Sequence, residues 1–116
     1  MARPNISSSD APRLPVEPLV GLPDLADAVA SLRTRDEAQR FLRDLCTLPE
    51  LEALAHRWQT AQLVEEGVPY LEIASRVPTS TATVTRVAHW LRHGAGGYRV
   101  ALDRAHARAG RPKRRP

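Results

Sequence analysis

The chain has 116 residues, a formal net charge of +4 and a single cysteine, Cys46. This length allows one small domain, and the lone cysteine excludes an intramolecular disulfide or a zinc site built on paired cysteines, as expected in a reducing cytosol. No apolar run is long enough for a signal peptide or a membrane span, so we predict a soluble intracellular protein with no membrane partner.

The charges are distributed unevenly along the chain. Residues 24–72 hold five arginines against ten carboxylates, whereas residues 73–110 hold six arginines against Asp103 alone. The segment 111–116, RPKRRP, adds four more positive charges. A basic half of this kind is typical of a protein with a polyanionic partner such as nucleic acid, although a solubilising tail would give the same composition.

Proline marks both ends of the sequence. Five of the ten prolines lie within residues 1–23, and two more lie in the basic tail. Because proline removes a backbone donor and blocks helices, we predict disordered segments at 1–23 and 109–116. The intervening domain, 24–108, is small for a lone hydrophobic core, so a dimer with a shared core is expected.

Three helices are predicted first in the chain. Residues 24–32 and 35–46 each place apolar side chains on one face. The third helix begins at the N-cap Thr47, which forms a capping box with Glu50, and it ends near Gly67. Its apolar residues recur at helical spacing over about 18 residues, enough to line a dimer interface.

The stretch VPTSTATVTR, residues 77–86, can be interpreted as a strand or as a helix. Its alternating β-branched residues favour a strand. However, an apolar stripe of helical period runs out of this stretch as far as Gly94, formed by Val84, Val87, Ala88 and Leu91. We therefore predict a helix that starts near Ser80, with Thr79 or Ser80 as its cap.

A short helix that begins at Pro69 precedes this helix, and a last helix follows at about 96–108. The helix that begins at Pro69 and the helix that starts near Ser80 form a predicted helix-turn-helix at about 69–92. A helical hairpin used only for packing would have a similar sequence pattern. No acid lies between Glu72 and Asp103, and the polar face of the second helix carries groups that bond base edges and phosphates. The predicted DNA-binding residues are Thr79, Ser80, Thr81, Ala82, Thr83, Thr85, Arg86 and His89.

Four motifs, CTLPELEALAHRW, VEEG, STATVTRV and YRVALDRA, resemble the Trp repressor-like family in its uncharacterised YerC/YecD branch. The resemblance covers about 24–108 and implies an all-α fold of six helices in an intertwined homodimer. It also implies a bacterial, cytoplasmic, nucleoid-associated transcriptional repressor that binds a palindromic operator in double-stranded DNA. The two recognition helices of such a dimer lie about 34 Å apart, one turn of DNA.

The resemblance further implies a possible ligand pocket. Thr47, Arg57 and Arg86 match positions that surround tryptophan in Trp repressor. Here Val87 replaces a glycine and Trp90 replaces a serine of that pocket. Because packed interiors leave few voids, these side chains would fill the space of the indole. We therefore expect no tryptophan corepressor and no other cofactor, while an unknown effector stays open.

Pro78 is a second departure from the family pattern. It stands where the turn of a helix-turn-helix often has a glycine with positive φ, whereas proline holds φ at about −65°. The turn must therefore take another shape.

Other kinds of site find little support in the sequence. His89 and His93 are four residues apart on one helix, but a closed zinc site needs four ligands, so we predict no metal. We find no nucleophile–base arrangement and no phosphate-binding glycine loop, and therefore expect no enzyme. The alternative function is a helical protein-interaction module, or a dimeric adaptor, with only non-specific affinity for nucleic acid.

Overall fold

The computed structural model describes residues 19–110. Of the residues predicted to be disordered, 1–18 and 111–116 lie outside this range. Six helices and no strand make up the described part, which confirms the predicted fold class. They are α1 (Leu22–Ser31), α2 (Arg35–Leu45), α3 (Leu48–Glu65), α4 (Tyr70–Arg76), α5 (Thr81–His93) and α6 (Gly97–Ala109). The described residues divide into two units after Leu51.

The first unit contains α1, α2 and the start of α3. Helix α1 begins two residues earlier than predicted, because Gly21 provides a left-handed N-cap and Pro23 fits the first helical turn. Helix α2 begins at the N-cap Thr34, whose side chain accepts a hydrogen bond from the amide of Glu37 at 3.1 Å. Neither helix contains a buried residue.

Helix α3 has the two ends that the sequence predicts. At its start the amide of Glu50 donates to Oγ1 of Thr47 at 3.3 Å, and the amide of Thr47 donates to Oε1 of Glu50 at 2.8 Å. At its end Gly67 has φ 83°, and the amides of Gly67 and Val68 donate to the carbonyls of Val64 and Leu63. This is a Schellman motif, which turns the chain sharply toward α4.

The second unit contains the hydrophobic core. Besides the polar residue Thr60, the buried residues are Ala61, Val64, Ile73, Val77, Val84, Val87, Ala88 and Leu102. Within this set Ile73 of α4 and Val84 of α5 are fully buried in one cluster, which Val77 joins from the link between the two helices. The predicted packing of α5 on α4 is therefore present, and it determines which face of α5 is exposed.

One arginine of helix α6 pairs with a carboxylate of helix α3. Arg99 donates to both carboxylate oxygens of Glu65 in α3, at 3.1 and 2.5 Å, and also to Asp103 at 3.0 Å. The hydrogen bonds from Arg99 to Glu65 raise the pKa of this guanidinium above its ordinary value, and they outweigh its partial burial, which acts to lower the pKa. Leu102 is the buried apolar residue of the helix, whereas Val100 is exposed.

Candidate nucleic-acid interface

The candidate interface is built on the pair α4–α5. The link between the two helices, residues 77–80, contains no glycine, and no non-glycine residue of the described chain has a positive φ. Val77 has φ −105° and Ser80 has φ −96°, so both are extended. The expectation that Pro78 forces a turn without a left-handed residue agrees with this geometry.

Ser80 is the N-cap of α5. Its Oγ accepts a hydrogen bond from the amide of Thr83 at 3.1 Å and also donates to Oγ1 of Thr83 at 3.2 Å. The cap explains why a segment of high β propensity forms a helix, because it satisfies an amide that would otherwise lack a partner. Buried Val84 and Val87 then hold the helix on its apolar face.

The exposed face of α5 carries most of the predicted contact residues. Thr85 is exposed, and its hydroxyl donates to the carbonyl oxygen of Thr81 at 3.0 Å. This bond uses the hydroxyl hydrogen of Thr85 and leaves the oxygen able to accept a further hydrogen bond. The other exposed members of the predicted set are Ser80, Thr81, Ala82 and His89, whereas Thr79, Thr83 and Arg86 are half-buried.

Arg86 lies deeper than its position on the polar face suggests. Its Nε is buried without a hydrogen-bond partner among the described residues. The root of the guanidinium is therefore held against the protein, and contacts with DNA would fall to its terminal nitrogens. The helical wheel shows the direction of a side chain but not how far its neighbours cover it, so the sequence did not reveal this burial.

The end of α5 adds basic and aromatic groups. His89 and Trp90 make an edge-on contact with ring centroids 4.7 Å apart, and His89 and His93 lie 4.9 Å apart. Arg92 and His93 occupy the last turn, where the positive charge of Arg92 interacts favourably with the helix dipole. No group of three or more metal-ligating side chains occurs within residues 19–110.

The residues of the possible ligand pocket lie in different surroundings. Thr47, in the first unit, uses its hydroxyl to cap α3. Arg57 is exposed on α3, and Arg86 is half-buried on α5. Val87 is 4% exposed, so its side chain lies in the interior.

The pair formed by Glu65 and Arg99 was not predicted from the sequence. The side chain of Glu65 is 7% exposed, and Arg99 is 34 positions away along the chain. Only the link from Arg99 to Asp103, at a spacing of four, has a local sequence signal.

None of the described helices has the length and apolar character needed to cross a membrane.

Comparison with known proteins places this arrangement in a family. The profile of the Trp repressor protein family matches residues 21–106. The chain is 40% identical over 83 residues to the uncharacterized protein YerC of Bacillus subtilis, covering 72% of this chain and 80% of that protein.

Two solved structures are also similar. A candidate Trp repressor of Staphylococcus aureus is 37% identical, with a TM-score of 0.69 over 74% of this chain and 86% of that one. A TrpR-like protein of Eubacterium eligens is 38% identical, with a TM-score of 0.66 over 78% and 89% of the two chains. The predicted resemblance is thus confirmed: the chain belongs to the Trp repressor family, a family of helix-turn-helix DNA-binding regulators.

Proposed function

We propose that the protein is a homodimeric, sequence-specific transcriptional repressor that binds a palindromic operator in bacterial nucleoid DNA, in the cytoplasm. The observation that carries this proposal is the exposed face of α5. Its first two turns present the hydroxyls of Ser80, Thr81 and Thr85 without an acidic neighbour on the helix. Such a face fits the major groove, where hydroxyls and arginines reach base edges and phosphates.

The homodimer is supported by apolar side chains that the single chain leaves exposed. On the first three helices these are Leu25, Val29, Leu42, Leu45, Leu48 and Leu54. Large apolar side chains at helical spacing are normally buried, and a second copy of the chain can cover them. A dimer also places two copies of α5 at a fixed spacing, which requires half-sites about 34 Å apart.

Thr85 is the residue for which the proposal predicts a specific base contact. Because its hydrogen is donated to Thr81, the hydroxyl can only accept from a base while this bond persists. The matching donors in the major groove are N4 of cytosine and N6 of adenine, and the threonine methyl can contact the methyl of thymine. We therefore expect Thr85→Val to relax preference for a base donor, and Thr85→Ser to keep it.

We further propose that tryptophan is not a corepressor. Buried Val87 and half-buried Trp90 occupy positions where Trp repressor has glycine and serine, which supports a filled pocket. An increase of about tenfold in operator affinity, or 1.4 kcal/mol, on adding millimolar tryptophan would contradict this proposal.

In-vitro selection of random double-stranded DNA by the purified protein, read by sequencing, tests the proposed function. Enrichment of a palindrome with half-sites one turn apart is the expected result. Thr85→Ala should then weaken binding to the selected site by about 10–100-fold, the loss expected for one base contact. The matched control is Arg35→Ala, which removes an exposed charge from α2 and should leave affinity unchanged.

One observation favours a second candidate, a protein-interaction module. Leu71 on α4 is 79% exposed, beside the predicted DNA-facing helix. A module that docks through Leu71 should retain its partner in Thr85→Ala, lose it in Leu71→Ala, and show little dependence on salt. A DNA-binding protein instead loses affinity with a logarithmic salt slope of about −0.9 for each phosphate contact. Salt-sensitive retention of every DNA sequence, with no enriched motif, would contradict the sequence-specific proposal.

A further inference from the structure

A cavity of about 300 Å³ lies in the second unit, between the ends of α3 and α5 and the start of α6. Its lining residues are Val64, Glu65, Leu91, Arg92 and Arg99. It shares no residue with the predicted DNA-facing set or with Thr47, Arg57 and Arg86. Its volume is at the lower end of the range of about 300–1,000 Å³ found for small-molecule sites, so a ligand would be small.

One wall of the cavity carries charges that satisfy each other. The nearly buried carboxylate of Glu65 accepts from two nitrogens of Arg99, which also donates to Asp103. A carboxylate held by a bidentate guanidinium has little remaining attraction for a second cation. This wall therefore provides a fixed polar surface and does not favour an amine.

The second guanidinium of the cavity is placed differently. Arg92 contacts the hydroxyl of Tyr70 at a long 3.4 Å, and no described carboxylate forms an ion pair with it. A guanidinium has five donors in a planar fork that matches a carboxylate. Val64 and Leu91 supply apolar surface beside it.

We propose that this cavity binds a small organic carboxylate, with its carboxylate group on Arg92 and a short aliphatic body against Val64 and Leu91. The occupant would contact the last turns of α5, the helix that carries the candidate DNA-binding face. The cavity is therefore a place where a metabolite can bind to the regulator away from the filled indole pocket. Because binding is measured without DNA, the test is independent of the proposed function.

The experiment is an NMR titration of the isotope-labelled full-length protein with isovalerate. Saturable shifts of the Val64, Leu91 and Arg92 amides are expected, with a Kd of about 1–10 mM for so small a ligand. Isobutylamine, of similar shape but opposite charge, should not produce them. Arg92→Ala should weaken isovalerate binding at least tenfold, about 1.4 kcal/mol, whereas the charge-matched control Arg35→Ala should bind like the parent protein.

Three results would overturn the proposal. They are an absence of saturable shifts with isovalerate, equal binding of the amine, and unchanged isovalerate binding by Arg92→Ala. The amide spectrum of each variant reports whether it is folded, and Arg92→Lys provides a second variant if Arg92→Ala is not. Lysine keeps the charge without the fork, so intermediate affinity is expected.

Discussion

The two units of the molecule contain helices of similar design with different outcomes. In the second unit α4 and α5 bury their apolar faces against each other, and Ile73 and Val84 are fully covered. In the first unit α1 and α2 are also amphipathic but contain no buried residue, and Val29 and Leu45 are 51% and 52% exposed. Helical periodicity therefore indicates which face is apolar, but not whether the surface that covers it belongs to the same chain.

The largest expected effect comes from the core of the second unit. Ile73→Ala removes a fully buried side chain and should lower the free energy of unfolding by about 2–5 kcal/mol. Urea denaturation followed by far-UV circular dichroism measures it. Leu71→Ala, on the same helix but exposed, is the matched control and should change stability by less than about 0.5 kcal/mol. Equal losses in both variants would break the distinction between covered and uncovered faces.

The second effect concerns the first unit. Leu45→Asp should weaken self-association by about 100-fold or more, because the dimer of this variant would have to bury an unpaired charge. Sedimentation equilibrium over a range of protein concentrations gives the association constant. Gln39→Asp introduces the same charge at an exposed polar position of α2 and should leave the dimer intact. A parent protein that stays monomeric at all concentrations would refute the proposed interface.

A smaller effect is expected for the ion pair of the second unit. Glu65→Gln should lower the free energy of unfolding by about 1–2 kcal/mol. This is less than the roughly 3–5 kcal/mol expected when a fully buried pair is broken, because the side chain of Arg99 is 36% exposed. Urea unfolding with Glu66→Gln as the exposed neighbouring control isolates the pair. If the two variants are equally stable, the ion pair does not contribute to the stability of the second unit, and its apolar contacts account for it.

The smallest expected effect is a change in the pKa of Glu50. This residue belongs to the capping box at the start of α3, a helix end that is well formed although it lies in the first unit. The hydrogen bond from the backbone of Thr47, followed by that from its side chain, holds the pKa of Glu50 below its ordinary value of 4.5. A lowered folded-state pKa contributes stability above the unfolded value, and this contribution is lost as the pH falls through the folded value. NMR titration of the Glu50 carboxyl should show that Thr47→Ala, which keeps the backbone amide and removes only the side chain, raises the pKa part of the way toward 4.5, and an unchanged pKa would contradict the side-chain contribution.

The parts of this structure that the sequence predicts are decided within a few residues. The capping box of Thr47, the glycine at the end of α3 and the Ser80 cap of α5 each depend on hydrogen bonds that span at most five positions. The same is true of the helical reading of residues 77–86, where an apolar stripe outweighs β propensity.

The parts that could not be predicted depend on contacts across the fold. The bond between Arg99 and Glu65 has no signal in spacing, because any arginine of α6 could have faced α3. The burial of Arg86 Nε and the exposure of Leu71 depend on how neighbouring helices cover each side chain. For the candidate site, the sequence thus indicates the helix and its polar face, while the depth of each residue required the structure.

The link between α4 and α5 has a consequence for how this protein can evolve. Since residues 77–80 all keep negative φ, no position there depends on glycine, and side chains can be exchanged without backbone strain. Exposed Pro78 also limits the freedom of the unfolded chain, which favours the folded turn. If α5 is the recognition helix that we propose, new contacts can arise by single substitutions at its edge while the scaffold stays constant.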